Sequence, residues 1–470
     1  MQRRRFVGSS IRLLLFCVTL IIILAPLAPV RAQSRPAQEA KRILVISLDG
    51  LDWRYVSSTQ SDLRIPTLRR LMTDGVSSGV VTVYPSVTYP SHTSIVTGAY
   101  PARHGIVGND IFDPNVLQNR EWYWFARAIQ VETLWDAATR RQLTTAMVSW
   151  PVAGGAGDYN APEILKLGGK LTDTLALIKA NARPQGLIEE IERADPALYA
   201  KGSKDETDDM RTRFAEYIIE KKRPQVMFVH LFDLDHFEHE AGPFTPEANA
   251  MLEKTDAYVA RMLAAAERAG TLSETAVFIV SDNGFLPTTK LIHPGVLLAE
   301  AGLVKVKEET DAQGKKRLAV AEWRALPYRS NGSCAIILRD PKDTEALNRA
   351  REIFSQFGIR EKGALSVLDA KEIRALHANP RAALMLEGGM GYSFGDNYAG
   401  DVITPNPQHG AHGYLPSKYL NTFIASGAGI RRRGALNGSR PVRLIDIGPT
   451  IGSVLRLKLR DAEGKALALR

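Results

Sequence analysis

The chain has 470 residues, enough for one large α/β domain with an inserted cap or for two or three smaller domains, and its 45% hydrophobic content fits a globular protein with a sizeable core. The formal charge is +9, but Arg3, Arg4, Arg5, Arg12 and Arg31 stand in the first 32 residues without an acid, which leaves +4 for all that follows. So small an excess gives no argument for nucleic-acid binding. With Cys17 near the N-terminus and Cys334 alone beyond it, an internal disulfide in the mature chain is excluded.

The N-terminus reads as an export signal: a basic start, an apolar run from Leu13 to Leu24, Pro26 and Pro29, then Val30-Arg31-Ala32 at cleavage-type positions. That run is short for a spanning helix, so cleavage after Ala32 is expected, with the membrane reached only through an uncleaved signal. The product is then exported, periplasmic or secreted. Arg3-Arg4-Arg5-Phe6-Val7 also looks like a twin-arginine pattern, and the export route stays open. Gln33 to Ala40 reads as a short tether.

Strand Ile43 to Leu48 leads into Asp49, and Pro66 to Asp74 reads as a helix closed by Gly75. The apolar run Val80 to Tyr84 ends at Pro85; Thr88 follows, and Pro90 opens a short helix that Gly98 closes. This puts the Thr88 hydroxyl at a helix N-terminus, where a negative oxygen or a phosphate is favoured. Helix capping is the commoner task for such a threonine, and its hydroxyl is a poor nucleophile unless a base or a metal lowers its pKa.

Thr133 to Arg141 reads as a helix and Thr145 to Trp150 as a strand, while residues 152 to 205 yield no clear elements. Met210, Phe214, Tyr217 and Ile218 stripe a helix ended by Pro224, and strand Val226 to Phe232 then leads into Asp235 and His239. Leu252, Val259, Met262, Leu263 and Ala266 stripe another helix, stopped by Gly270 before strand Val277 to Val280 and Ser281, Asp282 and Asn283. This alternation predicts a largely parallel sheet covered on both faces.

From Leu286 to about Pro407 the pattern changes. Val304 to Val320 reads as a hairpin around Ala312-Gln313-Gly314, Ala335 to Leu338 as a strand, and Asp340-Pro341 as the cap of a helix bearing Leu347, Ala350, Ile353, Phe354 and Phe357. Cys334 reads as a buried residue at a strand start rather than a nucleophile. The chain returns through His412 in H-G-A-H-G-Y, strand Thr422 to Ser426 and a helix after Asp446. Arg431-Arg432-Arg433 reads as a solvated turn, with phosphate steering as its functional alternative. The divisions are then a signal at 1–32, core at 33–285, a cap at 286–407 and the last part of the core at 408–470.

Asp49, Asp235, His239, Asp282 and Asn283 all follow strand-like runs, and His412 joins them from afar. In a parallel sheet the carboxyl ends of strands are where sites assemble, and carboxylates with imidazoles suit Zn²⁺ or its neighbours. The plainer readings are turn-forming aspartates for Asp49 and Asp282 and a helix-face pair for Asp235 and His239. His409 is the alternative to His412, and His236 stands beside Asp235 where it could compensate for Asn283.

In order along the chain stand I-S-L-D-G, T-Y-P-S-H-T-S-I-V-T-G, H-G-I-V-G-N, Trp150-Pro151, D-x-x-x-H-x-x-G-P, S-D-N-G-F, A-H-G-Y and I-D-I-G-P-T. With these the chain resembles the nucleotide pyrophosphatase/phosphodiesterase branch of the alkaline phosphatase superfamily. The resemblance implies a three-layer α/β/α sandwich with a mostly parallel central sheet and an inserted α+β cap. It implies an exported hydrolase of phosphodiester or pyrophosphate bonds with two divalent metal ions, zinc first. One ion would be held by Asp235, His239 and His412, the other by Asp49, Asp282 and residue 283 with Thr88 bridging towards it. Thr88 would form a phosphothreonine intermediate, Asn109 would donate a hydrogen bond to a phosphoryl oxygen, and Tyr89 would pack against a nucleobase.

Asn283 departs from the pattern, which carries Asp-His there. An amide oxygen is neutral and harder, so that site is expected to suit Mg²⁺, Mn²⁺ or Ca²⁺ better than Zn²⁺. S-D-N-G resembles the calcium site of sulfatases, but Thr88 and His92 stand where those enzymes need a modifiable Cys or Ser followed by Arg. The chain also lacks the Lys-x-Arg pair after Trp150 with which similar monoesterases grip a dianion. The expected partner is therefore a small phosphorylated molecule, a nucleotide or another diester, and not a stably bound nucleic acid. Alternatives are a phospholipid-headgroup, phosphonate or phosphomonoester hydrolase with the same centre, or a member that binds a phosphorylated ligand without turnover.

Overall fold

Strands buried on both faces build the molecule outward from one sheet. The structure, a computed structural model, describes residues 39–470 apart from 59–61, 118–119, 166–169, 200–206, 311–313, 315, 432–433, 437–440 and 470. The export signal at 1–32, most of the hairpin tip and Arg432-Arg433 lie outside the described residues. Among the described residues no helix is long and apolar enough to cross a membrane.

β1 (Arg42–Leu48), β2 (Val76–Val81), β3 (Thr145–Val148), β4 (Tyr159–Ala161), β5 (Val226–Leu231) and β6 (Thr275–Val280) belong to a nine-stranded sheet. Its order runs β2, Asn421–Gly427, β6, β1, β5, β3, β4, and the short strands Gly434–Ala435 and Val442–Arg443 both pair with β2. The pairs of β1 with β5 and β6, and of β3 with β4 and β5, are parallel; Asn421–Gly427 is antiparallel to both its neighbours.

Because successive side chains point to opposite faces, Leu44, Ile46 and Leu48 pack with helices Pro66–Asp74, Asp208–Tyr217 and Pro246–Arg268 on one side. Ile43 and Val45 pack with helices Leu134–Arg140 and Leu444–Val454 on the other. The result is a three-layer sandwich. Ser47 lies opposite both His230 and Val280, so β1, β5 and β6 end level and release their following residues at one edge.

A second, antiparallel sheet of Ala325–Ser330, Ser333–Leu338, Ala382–Gly388 and Leu365–Leu368 carries helix Thr344–Arg360 against it, with Ala346, Ala350, Phe354 and Phe357 buried. Leu286–Ile292, Gly391–Phe394, Ile403–Pro405 and Gly410–Ala411 form a smaller sheet. Residues Ala37–Arg470 make one compact unit.

Several local expectations need correction. Asp343, not Asp340, caps helix Thr344–Arg360, its carboxylate accepting from Ala346 N at 2.9 Å. β2 stops at Val81, and the approach to Pro85 is irregular. The stretch without assigned elements contains β4 and helices Leu171–Asn181 and Leu187–Ala194. The helix after Met210 widens into a π-turn at Ile218–Lys222 before Pro224 stops it.

Candidate active site

Helix Thr88–Thr97 starts at Thr88 itself, with Val87 as the flanking residue and no side-chain cap, and ends at Gly98 in the left-handed region at φ 68°. Pro90 is its third residue. The threonine hydroxyl therefore does not close its own helix terminus. Thr88 lines a cavity of about 520 Å³ with Val87, Asn109, Trp122, Asp235, His239 and His412.

Asp235 and His239 lie one turn apart on helix Asp233–Ala241, directly after β5, and His412 follows the short strand Gly410–Ala411. His239 Nε2 is 3.7 Å from Asp235 Oδ2, and His412 Nε2 is 3.5 Å from Asp235 Oδ1. The three ligand atoms all fall within 4.8 Å of one another. Each imidazole donates from Nδ1 to a carbonyl, His239 to Gly410 O at 2.9 Å and His412 to Ser86 O at 3.2 Å. That fixes the tautomer and leaves both Nε2 lone pairs on the carboxylate side, where Asn331 Nδ2 also approaches His412 Nε2 at 3.3 Å.

Burial keeps both rings neutral, pushing His239 down to about 4 and His412 to about 3. Burial, and next to it the Asp282 charge, lifts Asp235 to about 8. Lone pairs facing a carboxylate are unfavourable unless a proton or a cation sits between them, and Asp235 Oδ1 is buried with no hydrogen-bond partner. These donors fit a divalent cation such as Zn²⁺. His409 instead donates from Nδ1 to Glu240 O and stays at the surface.

Asp49 leaves β1, and Asp282 and Asn283 leave β6, at the same edge. Asp49, Asp235 and Asp282 form one acidic cluster in which each carboxyl raises another. Asp49 is pushed up to about 6, first by burial and then by the Asp235 charge, and Asp282 is raised well above the ordinary range by burial and Asp49. Three mutually repelling buried carboxyls also fit cations. Glycine is required at position 50, where φ is +78° and a Cβ would lie 2.3 Å from Glu238 Oε2.

Asn283 differs from the expectation of an amide-oxygen ligand. Its Nδ2 donates to Asp49 Oδ1 at 3.2 Å and to Asp282 Oδ2 at 2.8 Å, while its Oδ1 is buried without a partner. With the carboxylates facing it, the amide turns its donor inward; half a turn about its last bond would present the oxygen that a cation demands. His236 does not compensate, since its Nε2 lies 3.4 Å from Glu240 Oε1. His92 ties Thr88 to the acids: its Nδ1 donates to Thr88 O at 2.8 Å and lies 3.7 Å from Asp282 Oδ2.

Asn109 lines the cavity with its Oδ1 held by Tyr89 N at 2.9 Å, so the amide end that remains is the donor. Tyr89 corrects the expectation of a base-packing ring. It is fully buried, its hydroxyl donates to Glu163 Oε1 at 3.0 Å, and its ring meets Trp122 edge-on at 5.2 Å. The aromatic residue in the cavity wall is Trp122, which stacks on Trp124 at 5.5 Å. Arg120, Arg329, Asp110 and Asp396 also line the wall and were missed from the sequence, as were buried Glu163 and Glu238, while His230 reads from the sequence as a structural histidine. The W-Y-W triplet at 122–124 was a usable aromatic signal, whereas nothing local marks Arg329.

A family model described as "Type I phosphodiesterase / nucleotide pyrophosphatase" matches residues 43–415. An uncharacterized pyrophosphatase/phosphodiesterase of Schizosaccharomyces pombe is 26% identical over 263 residues, 53% of this chain and 45% of its own length. Human ectonucleotide pyrophosphatase/phosphodiesterase family member 5 is 24% identical over 251 residues, 52% of this chain and 45% of that protein. The chain thus spans less than half the length of these curated relatives. Among solved structures, murine ectonucleotide pyrophosphatase/phosphodiesterase 5 superposes with a TM-score of 0.61 at 18% identity, covering 90% of this chain and 97% of that one. An inactive form of that murine protein was solved in complex with AMP. The likeness to these structures is one of fold.

Proposed function

From the premise that this chain belongs to the type I phosphodiesterase/nucleotide pyrophosphatase family, we propose that it is an exported, metal-dependent hydrolase of phosphodiester or pyrophosphate bonds acting through Thr88. The observation that carries this reading is the convergence of Asp235 with the inward Nε2 lone pairs of His239 and His412 in the cavity that Thr88 lines. These three residues would hold one divalent ion; Asp49, Asp282, Thr88 and a rotated Asn283 would hold the other. Residues 286–407 act as a cap over a core of 33–285 and 408–470, a division supported by the separate antiparallel sheet of Ala325–Gly388. Export rests on the signal-like residues 1–32.

Bound divalent ions supply charge stabilisation for phosphoryl oxygens and lower the pKa of nearby hydroxyls. Thr88 Oγ gives up its proton to solvent and attacks phosphorus, the P–O bond to the leaving alcohol or phosphate breaks with the leaving oxygen taking a proton from solvent, and a phosphothreonine forms; water then attacks phosphorus, the P–Oγ bond breaks and one proton of that water returns to Thr88. Asn109, its amide oxygen already engaged by Tyr89 N, donates to a non-bridging oxygen. Trp122 offers an apolar face to a nucleoside or similar group, and a small nucleotide is the substrate class this favours.

Metal-replete protein should hydrolyse bis(p-nitrophenyl) phosphate and ATP with higher kcat/KM than p-nitrophenyl phosphate; equal or better monoester turnover overturns the substrate class. Thr88→Ala should lose turnover by about 10³-fold or more while keeping its melting temperature. The inward amide donor of Asn283 favours one second reading, a member that binds a phosphorylated ligand without turnover. A single bound ion and no activity with any divalent metal would select it.

A further inference from the structure

His230 is on β5, 1% exposed, and lies between two carboxylates. Its Nδ1 faces Glu163 Oε2 at 2.9 Å and Ser149 O at 3.1 Å, both of which only accept, so Nδ1 carries a hydrogen. Its Nε2 lies 3.0 Å from Asp49 Oδ2. Glu163 is itself held by the Tyr89 hydroxyl at 3.0 Å, and the His230 ring packs on His92 at 4.5 Å. Asp49 Oδ1 is thereby left to face Asn283.

Two acids and an imidazole gathered in the interior away from water are costly to bury, and an apolar set of the same volume would serve packing at least as well. What the arrangement does supply is orientation. A carboxylate with one oxygen tied to a fixed donor presents the other in a fixed direction, and such outer partners set cation affinity. At residue 283 the chain offers an uncharged amide, so the direction of Asp49 matters more here than in a site with a stronger third donor.

We propose that His230, braced by Glu163, is a positioning residue for Asp49: by engaging Oδ2 it directs Oδ1 towards Asp282 and Asn283 and so determines how tightly the cation on the Thr88 side is held. This rests on the two-cation reading above. The test strips full mature protein with EDTA and titrates it with Mn²⁺. It reads metal equivalents per chain and the concentration that half-fills each, with melting of the stripped proteins as the folding control.

Wild type should take up two equivalents. His230→Ala should keep the equivalent at Asp235, His239 and His412 and weaken the other by about 10- to 100-fold. His230→Gln, whose amide still donates, should recover part of that loss. Glu163→Gln, which leaves His230 in place but loosens it, should shift the same site less and carries the test if His230→Ala does not fold. Variants that load both equivalents at wild-type concentrations, including variants whose only change is a lower melting temperature, overturn the proposal alone. A wild-type protein that takes up a single cation overturns it together with the two-cation reading.

Discussion

The antiparallel sheet of Ala325–Gly388 and the strand-end edge of the main sheet both bury acids, and they treat them in opposite ways. In the former, Glu387 accepts from the Tyr84 hydroxyl at 3.0 Å and from Leu415 N at 2.9 Å. At the other end of that sheet half-buried Asp343 meets Arg324 through both oxygens at 2.7 Å while capping its helix. At the main-sheet edge Asp49, Asp235, Asp282 and Glu238 are all raised by burial and by one another, and Asp235 Oδ1 and Glu238 Oε2 have no partner. Native interiors rarely leave such groups unsatisfied, so the unpaired edge marks where a ligand supplies what the chain withholds.

The sharpest way to break that contrast is Asp282→Asn. Diester turnover should fall on the order of 10³-fold, while the metal-free protein should melt at a higher temperature because one repelling carboxyl is gone. Retained turnover, or a lower melting temperature without metal, would mean that the edge is not the strained, functional end of the molecule. Leu384→Ala is the converse change. Leu384 is wholly buried against the helix that carries Phe354, and its truncation should cost roughly 3 kcal/mol in urea unfolding with both metal equivalents intact. Loss of metal from this variant would show that the two regions are not independent.

Trp122→Ala sharpens the assignment of the cavity wall. KM for a nucleotide diester should rise about tenfold with kcat nearly unchanged, whereas Tyr89→Phe, which keeps the buried ring and removes only the hydroxyl held against Glu163, should leave KM alone. The smallest effect is one of pH. Glu387 titrates near 4.5 when unfolded and is pushed up to about 7 by burial in the fold. Between those values the native state keeps a proton that the unfolded chain releases, so this group makes stability fall as pH rises from 4.5 to 7. Glu387→Gln should flatten that fall by on the order of 1 kcal/mol, read from urea midpoints at pH 5 and pH 8.

Much of this was legible along the chain. The helices Pro66–Asp74 and Pro246–Arg268 carry their own stripes and stops, and β1, β5 and β6 are runs of apolar residues that only a sheet covered on both faces can bury. Asp343 was misplaced because Asp340-Pro341 is an equally good local start signal, and the tertiary ion pair with Arg324 selects between them. Tyr89 was misread because its neighbour Thr88 faces the cavity, while successive residues of a helix point about 100° apart.

By itself, then, the sequence determined a largely parallel sheet covered on both faces, the helix that presents Thr88 and the identity of the polar residues released after β1, β5 and β6, since each depends on periodicity and stop signals within a few residues. Only the tertiary structure decided which way those polar groups turn. The inward donor of Asn283, the burial of Tyr89 behind Trp122, and His230 held between Glu163 and Asp49 all depend on side chains from segments far apart in sequence competing for the same hydrogen bonds, and no local pattern records the outcome of that competition.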